Sequence, residues 1–403
     1  ALDGHRDGIF CMNTVPNSLV KFVSGACDGE MKVWDLTQRL VSVCLWSASA
    51  HQGFVRGIAS DPKGERLFSC GDDSTVKLWR LEQTGEEEDD DGTIKPLATF
   101  MGKSAFHALD HHQNQSMFAT AGATVQLWDP SRSEPTASYT WGADTIHCVK
   151  FNRVEVCCWV RFDVTQTNVL MSTASDRNIV LYDVRARTAL KKMIMHMSTN
   201  AVCWNPMEAF NFTTANEDNQ CYTFDMRKLD HALCVHKDHV SAVMTIDYSP
   251  TGKEFVTGSY DRTVRIFGVD QGHSREVYHA RRMQRVFAVK FTADNKYVLS
   301  GSDDTNIRAW KARASQRIKQ LLPRERRQHN YREKLKERYK NVSEIRRISR
   351  YRHLPKSLLN AKSMRHTIVA SRKRKERNVR AHSKPGAVPF VSEKKKRVAE
   401  NVD

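Results

Sequence analysis

Seven short stretches of alternating polarity recur along the first 310 residues, and each closes on an aromatic side chain. Runs such as MKVWD, TVKLW, TVQLWD, NIVLYD, TVRIF and NIRAW alternate apolar with polar positions, the period of a strand with one buried face. The closing aromatics are Trp34, Trp79, Trp128, Tyr182, Phe224, Phe267 and Trp310, at intervals of 45, 49, 54, 42, 43 and 43 residues. An interval of this size holds four short strands and their turns, the unit of a radially repeated sheet. Six units carry an Asp six residues before the aromatic, at Asp28, Asp73, Asp176, Asp218, Asp261 and Asp304. The same six carry Ser or Thr ten residues before it, at Ser24, Ser69, Ser172, Thr214, Thr257 and Ser300. Five have a His upstream, at His5, His51, His196, His236 and His279.

This pattern resembles the WD repeat in every unit. The resemblance implies an all-β fold, a seven-bladed β-propeller over residues 1–310. In that family the His, Asp, Ser/Thr and Trp of a blade form a buried hydrogen-bonded chain that pins a tight turn. Buried polar groups are tolerated when fully partnered, so such a chain also fixes one arrangement. His, Asp and Ser together also make catalytic triads, but a set repeated about six times is scaffold. The third unit departs: FATAGATVQLWD puts Gly122 where the Asp belongs and reads one residue short, so its turn is expected to be the least rigid. The run EEEDDD within Glu82–Gly92 repels itself. Two readings stand for it, a solvated outer loop or an acidic contact for a basic segment, the chain's own tail included. VEVCCWVRFDV, Val154–Val164, is strand-like but off the pattern. A ring must close to remove its sheet edges, so residues 1–4 are expected beside the Trp310 strand. Ala1-Leu2-Asp3 is short for a full strand, which suggests an incomplete N-terminus.

Composition narrows the classes. The chain has 403 residues, 40% hydrophobic, with a mean hydropathy of −0.57, and no apolar run long enough for a membrane-spanning helix. The opening ALDGHRDGIF has neither the charged nor the apolar region of a signal peptide. All ten Cys precede residue 235 without a CxxC pair, which suits buried free thiols better than disulfides or zinc. No cofactor loop, metal cluster or paired-carboxylate cleft is evident outside the repeats, so no cofactor, no small-molecule substrate and no enzymatic activity are expected.

Charge divides the chain at Trp310. Residues 1–310 hold 33 Lys+Arg against 38 Asp+Glu, net −5, whereas residues 311–403 hold 30 against 8, net +22. A polyanion is the expected partner of such an arm. From Leu322 to Tyr339 a helical period appears, with Pro323 suited to a first turn and Tyr331, Leu335 and Tyr339 on one face. Val342, Ile345 and Ile348 make a second short stripe, and Leu358, Leu359, Met364 and Ile368 a third within Ser357–Arg377. These stripes are too narrow for an independent core, so the helices should dock on the propeller or on a larger partner. We divide the arm into a basic helical extension, residues 311–377, and a tail, residues 378–403. In the tail, Pro385-Gly386 and Pro389 forbid one continuous helix, and Val388, Phe390 and Val391 offer apolar anchors. An extended peptide threading over a surface and a disordered tail are both open.

The arm fits nucleic acid best, because guanidinium forks suit phosphate oxygens and interleaved aromatics can stack on unpaired bases. No DNA-reading motif is present, which favours RNA, and no helix has the broad apolar face of a membrane binder. Candidate phosphate contacts in the first helix are Arg324, Arg326, Arg327, Lys334, Lys336 and Arg338. Further candidates are Arg346, Arg347, Arg350, Arg352, His353, Lys356, Arg372, Lys373, Arg374 and Lys384. Arg372–Arg377 and Lys394–Arg397 also suit a nuclear or nucleolar targeting patch.

RRMQRVFAVKFTADNKYVLSGSDDTNIRAWKA, YRHLPKSLLNA and HSKPGAVPFVSEKKKR resemble the suppressor-of-fibrillarin-like WD-repeat proteins. The resemblance covers essentially the whole chain, and the last two segments lie outside any repeat. It implies a non-catalytic assembly factor of the nucleolar small-subunit processome. Such a factor would contact several processome proteins through the propeller and pre-ribosomal RNA, with small nucleolar RNA a further partner, through the arm. A second resemblance rests on Tyr182-Asp183-Val184-Arg185 and Phe224-Asp225-Met226-Arg227. These look like the double box of WD-repeat substrate receptors for the cullin ring-ligase adaptor, with Asp183, Arg185, Asp225 and Arg227 as candidate adaptor contacts. Ordinary rim residues paired within their own turns are the competing reading.

Overall fold

The computed structural model describes residues 2, 4–37, 43–82, 94–140, 145–152, 168–317, 320–349 and 354–402. The acidic run and Val154–Val164 fall outside these residues. The repeat folds as expected. Blade one is an antiparallel sheet of Ile9–Thr14, Lys21–Ala26, Glu30–Asp35 and Val43–Ser49, paired in chain order. The same order recurs over residues 55–101, 108–139, 146–195, 199–237 and 243–278 as blades two to six. Blade seven has three strands over residues 286–311. The first strand of every blade packs beside the first strands of both neighbours, which makes a closed ring around a central axis. The expected closure is present at Leu2: Leu2 and Ile307 exchange backbone hydrogen bonds of 2.7 and 3.1 Å.

The core lies between blades rather than within any one of them. Seven apolar clusters fill the seven inter-blade layers. The layer that closes the ring joins Ile9, Met12, Phe22 and Trp34 of blade one to Ala288, Leu299 and Ile307 of blade seven. Each layer is buried only when its neighbour is present, which is why a propeller is stable as a ring and not as a blade.

The turns explain the repeated Asp. Gly29, Ser74, Arg177, Asn219, Arg262 and Thr305 each follow a signature Asp and have positive φ, between 59° and 86°. That conformation is costly outside Gly and needs a local hydrogen bond to hold it. The Asp carboxylate supplies it by accepting the N–H two residues on, as at Glu30, Thr75, Asn178, Gln220 and Thr263, at 3.0–3.2 Å. Blade three has Gly122 instead and no such residue. It keeps one link, because Trp128 Nε1 donates to Thr120 Oγ1 at 2.9 Å across a turn two residues shorter.

The His assignments need correction at three places. His5 and His51 join Ser24 and Ser69 at 2.6 and 2.8 Å as expected. In blade six the partner of Asp261 and Thr257 is His239, at 2.9 and 2.7 Å, and not His236. His5, His51 and His239 each lie four residues before the first inner-strand residue, Ile9, Val55 and Val243. His196 and His279 are out of that register by one and three residues, and Met195 and Arg282 occupy the equivalent positions. His196 is exposed, and His279 meets the Arg262 carbonyl instead. In blade seven Arg308 takes over, forming a bidentate pair with Asp304.

Three helices follow the ring: α1 (Pro323–Arg338), α2 (Ser343–Ser349) and α3 (Lys356–His382), none with a buried residue. α3 continues five residues past Arg377 and stops before Pro385-Gly386. The last strand, Val398–Val402, adds antiparallel to Thr188–Met195 as a fifth strand of blade four.

Candidate nucleic-acid and partner interface

The arm reaches its site by crossing the ring from one face to the other. It leaves blade seven at the end of that blade's third strand, where Arg275 Nη2 donates to the Ala312 carbonyl at 2.7 Å and Tyr278 to the Lys311 carbonyl. α1 then folds back over residues 311–317. His329, Arg332, Glu333 and Lys336 line the shallow groove so formed. At 3.6 residues per turn, Arg324, Arg327, Tyr331, Lys334 and Arg338 share about a quarter of the circumference on the opposite side. All five are exposed, Tyr331 at 64%. Of the six candidates in this helix, four therefore form one cationic face around an aromatic ring. Lys336 turns toward the chain itself, and Arg326 lies off the face. Arg346 and Arg347 on α2 are exposed, as are Lys356, Arg372, Lys373, Arg374 and Lys384. Arg350, Arg352 and His353 lie outside the described residues.

A different set of basic residues fastens the arm, and the sequence pattern did not single them out for that role. Lys362 Nζ meets Asp238 Oδ1 at 2.7 Å. Burial alone would raise the Asp238 carboxyl, but Lys362 and two hydrogen bonds from Ser274 hold it well below the usual carboxylate range. Arg365 donates to the carbonyls of His239 and Asp218 at 2.6 and 2.8 Å. Arg397 Nε stands 3.4 Å from Asp218 Oδ2, which also accepts the Tyr222 hydroxyl at 2.5 Å. Blade five has no His in register, and here Tyr222 and Arg397 surround the Asp that a His would have met. Burial still raises the Asp218 carboxyl above its ordinary value, against the pull of Tyr222 and Arg397. The tail is held further by the Arg397 carbonyl on the His196 amide at 3.0 Å and the Lys394 carbonyl on the Ala232 amide at 3.1 Å.

These contacts sort the α3 candidates. Lys362, Arg365, Lys373, Glu376 and Arg380 share one side of the helix. Lys373 pairs with Glu393, Lys396 with Glu376, and Arg380 stacks over Phe390 at 4.8 Å. Arg374 faces away from this seam, and Arg377 lies at its edge. The proposed anchors Val388, Phe390 and Val391 remain exposed, Phe390 at 73%. Val388 and Val391 line an apolar groove against Val379 of α3 rather than sinking into the propeller. The tail is held by hydrogen bonds, charge and the packing of Val398 on the layer between blades four and five, not by the three proposed anchors.

The rim candidates lie on the other face of the ring, at the far ends of the third strands. From the Asp218 turn to Asp225 runs a six-residue strand, about 20 Å long. Asp183 Oδ1 accepts the Arg185 amide at 2.8 Å, and Asp225 Oδ1 accepts the Arg227 amide at 3.0 Å. The Arg227 guanidinium also folds onto Asp225 in a bidentate pair, 2.7 Å at the shortest, over the Phe210 ring. Burial would raise the Asp225 carboxyl, yet the Arg227 hydrogen bonds keep it below its usual value. Arg185 reaches Asn168, whose amide oxygen accepts from Nη2 at 2.9 Å when it faces the guanidinium. Arg227 thus makes the in-turn pair of the competing reading, yet its side chain stays 60% exposed in a preset fork.

His51 bridges Asp73 and Ser69 as a triad would, but Ser69 is fully buried and takes the Trp79 indole N–H at 2.9 Å. No substrate can reach that hydroxyl. His5, Asp28 and Glu30 bring ligand atoms within 4.8 Å of one another. Lys32 already lies 3.1 Å from Glu30 and donates to the Gly4 carbonyl, so an ammonium fills the cationic place there. Among the described residues no helix is long and apolar enough to cross a membrane. Burial raises the thiols of Cys11, Cys70, Cys148, Cys203 and Cys221, which keeps them protonated.

Comparison with known proteins agrees with this anatomy. Residues 312–398 match the Sof1-like domain, and residues 1–35, 42–80, 231–268 and 271–311 match the WD domain, G-beta repeat. The chain is 51% identical over 398 residues to DDB1- and CUL4-associated factor 13 of Xenopus tropicalis, covering 99% of this chain and 85% of that one. The Homo sapiens protein of the same name is also 51% identical, with the same coverage. Protein SOF1 of Saccharomyces cerevisiae is 43% identical over 417 residues, covering 99% and 82%. The WD40 β-propeller domain of Doa1 shares the fold at a TM-score of 0.63 and 20% identity, over 78% of this chain and 96% of that one. With its repeats, its arm and these near full-length relatives in agreement, the chain belongs to the Sof1-like WD-repeat family.

Proposed function

We propose that this protein is a non-catalytic assembly factor of the nucleolar small-subunit processome. In this reading the propeller scaffolds neighbouring proteins and the arm grips pre-ribosomal RNA, in support of small-subunit rRNA processing. The observation that carries it is the division of labour within the arm. Lys362, Arg365 and Arg397 fasten it to the ring, while Arg324, Arg327, Tyr331, Lys334 and Arg338 are left on an open face. Phosphate contacts need charge, and unpaired bases need an aromatic surface, which that face provides. The uncovered stripes at Met364 and Ile348, 69% and 71% exposed, suit a partner larger than the propeller. Nuclear and nucleolar residence follows from this role. Crosslinking in cells should recover pre-ribosomal RNA on residues 322–377, with loss of the signal when the arm is deleted. Recovery of no ribosomal RNA above background would sink the reading.

A second role is favoured by the relatives from Xenopus tropicalis and Homo sapiens, which are named for association with DDB1 and CUL4. Arg185 and Arg227 occupy equivalent rim positions on adjacent blades, on the face the latch leaves clear. We read them as the docking pair for a cullin-ligase adaptor. Changing both to Glu should remove the co-purifying adaptor, and undiminished recovery would exclude this interface. The two roles use different residues and are compatible.

A further inference from the structure

We propose that Ser349 is a phosphoacceptor for a protein kinase that selects arginine, and that its phosphate loosens the arm's hold on RNA. The second clause rests on the RNA reading above; the first does not. Of all the Ser and Thr residues in the chain, Ser349 alone has Arg at both the third and the second position before it, Arg346 and Arg347. Kinases that select arginine bind an extended peptide and read such charges with carboxylates of their own. The local structure permits that. α2 has only seven residues and none is buried, so unwinding it costs little. Ser349 is its last residue, exposed, and among the described residues its hydroxyl makes one replaceable bond, to the Arg346 carbonyl at 3.2 Å. By contrast, Thr367 lies within the 27-residue α3 that is latched to the ring, and Ser383 caps its end with a hydroxyl bonded to the Val379 carbonyl.

In the reaction the Ser349 oxygen bonds to the γ-phosphorus of ATP. The bond from that phosphorus to the β,γ-bridging oxygen breaks, ADP leaves, and the hydroxyl proton passes to the kinase's carboxylate base. The product carries a charge of about −1.5 to −2 beside Arg346 and Arg347, and three acceptor oxygens that guanidinium groups bind well. Those arginines then face an internal phosphate in place of an RNA phosphate. A phosphate at a helix C-terminus also opposes the helix dipole, which favours release of α2.

The test uses the full chain with magnesium ATP and the catalytic subunit of cyclic-AMP-dependent protein kinase, with phosphate mapped by mass spectrometry. We expect phosphate on Ser349, its loss in Ser349→Ala, and a rate at least about tenfold lower in an Arg346→Gln, Arg347→Gln variant. Phosphate absent from Ser349, or incorporated there equally well without the arginines, overturns the site. Affinity for a single-stranded pre-ribosomal RNA fragment is then compared before and after phosphorylation. A fall of roughly tenfold at 150 mM salt is expected from losing about two phosphate contacts, with no change for kinase-treated Ser349→Ala. Equal affinity of the phosphorylated and unmodified chains overturns the regulatory consequence. A chain that binds no RNA in either state refutes the RNA reading and leaves the phosphoacceptor result standing on its own.

Discussion

His239 and Asp261 show what the repeated polar residues contribute one at a time. Both are buried, and each satisfies the other while also holding Thr257 or Thr263. Asp261→Ala strands the His239 ring and the turn amides, and should cost roughly 1–3 kcal/mol in urea unfolding. Asp304→Ala should cost less, because its partner Arg308 can turn to solvent while a buried imidazole cannot. A pH effect belongs to the same scale. Burial lowers His236 from its ordinary value to about 4, opposed by its bond to the Gln271 carbonyl. The unfolded chain then binds a proton near pH 6.5 that the folded chain refuses until about pH 4. Stability should therefore fall as pH drops through that window, by up to roughly 3 kcal/mol from this residue. Denaturant midpoints measured from pH 7 to pH 4 should shift less in His236→Gln than in the parent, and equal shifts would exclude His236 as the source.

At the level of elements, the final strand behaves as part of blade four though it lies two hundred residues away along the chain. An outer strand with an open edge invites pairing with other chains, and Val398–Val402 covers that edge on Thr188–Met195. Its docking depends on Arg397, which is placed between Asp218 and the His196 amide. Arg397→Ala should raise amide hydrogen exchange at His196 by about tenfold, without change at the central strand of blade six, as local opening predicts. Unaltered protection at His196 would mean that strand pairing alone holds the tail. α1 is an element of the opposite kind, lining the groove at His329 and Glu333 on one side and open on the other.

For the molecule as a whole, the two faces of α1 supply a quantitative test of polyanion binding. Changing Arg324, Arg327, Lys334 and Arg338 together to Glu should flatten the plot of log affinity against log salt by about 3, since each single-strand phosphate contact contributes about 0.7. The same change at Arg326 and Lys336 should do much less, and equal effects would dissolve the face into a diffuse charge. What the sequence determined by itself was the ring: seven blades, their Asp turns and the closure at Leu2 follow from local periodicity and from turn chemistry within a few residues. The division at Trp310 was legible for the same reason, because charge is counted residue by residue. Three of the five His partners were misplaced, since an offset of one to three residues is invisible until strand register aligns them. Tertiary structure alone decided which arm cations serve as latch and which stay open. Lys362, Arg365 and Arg397 look like any other basic residue in the arm. They become fasteners because the fold brings a buried carboxylate or an unpaired carbonyl opposite each, and burial is what makes a paired charge stay paired.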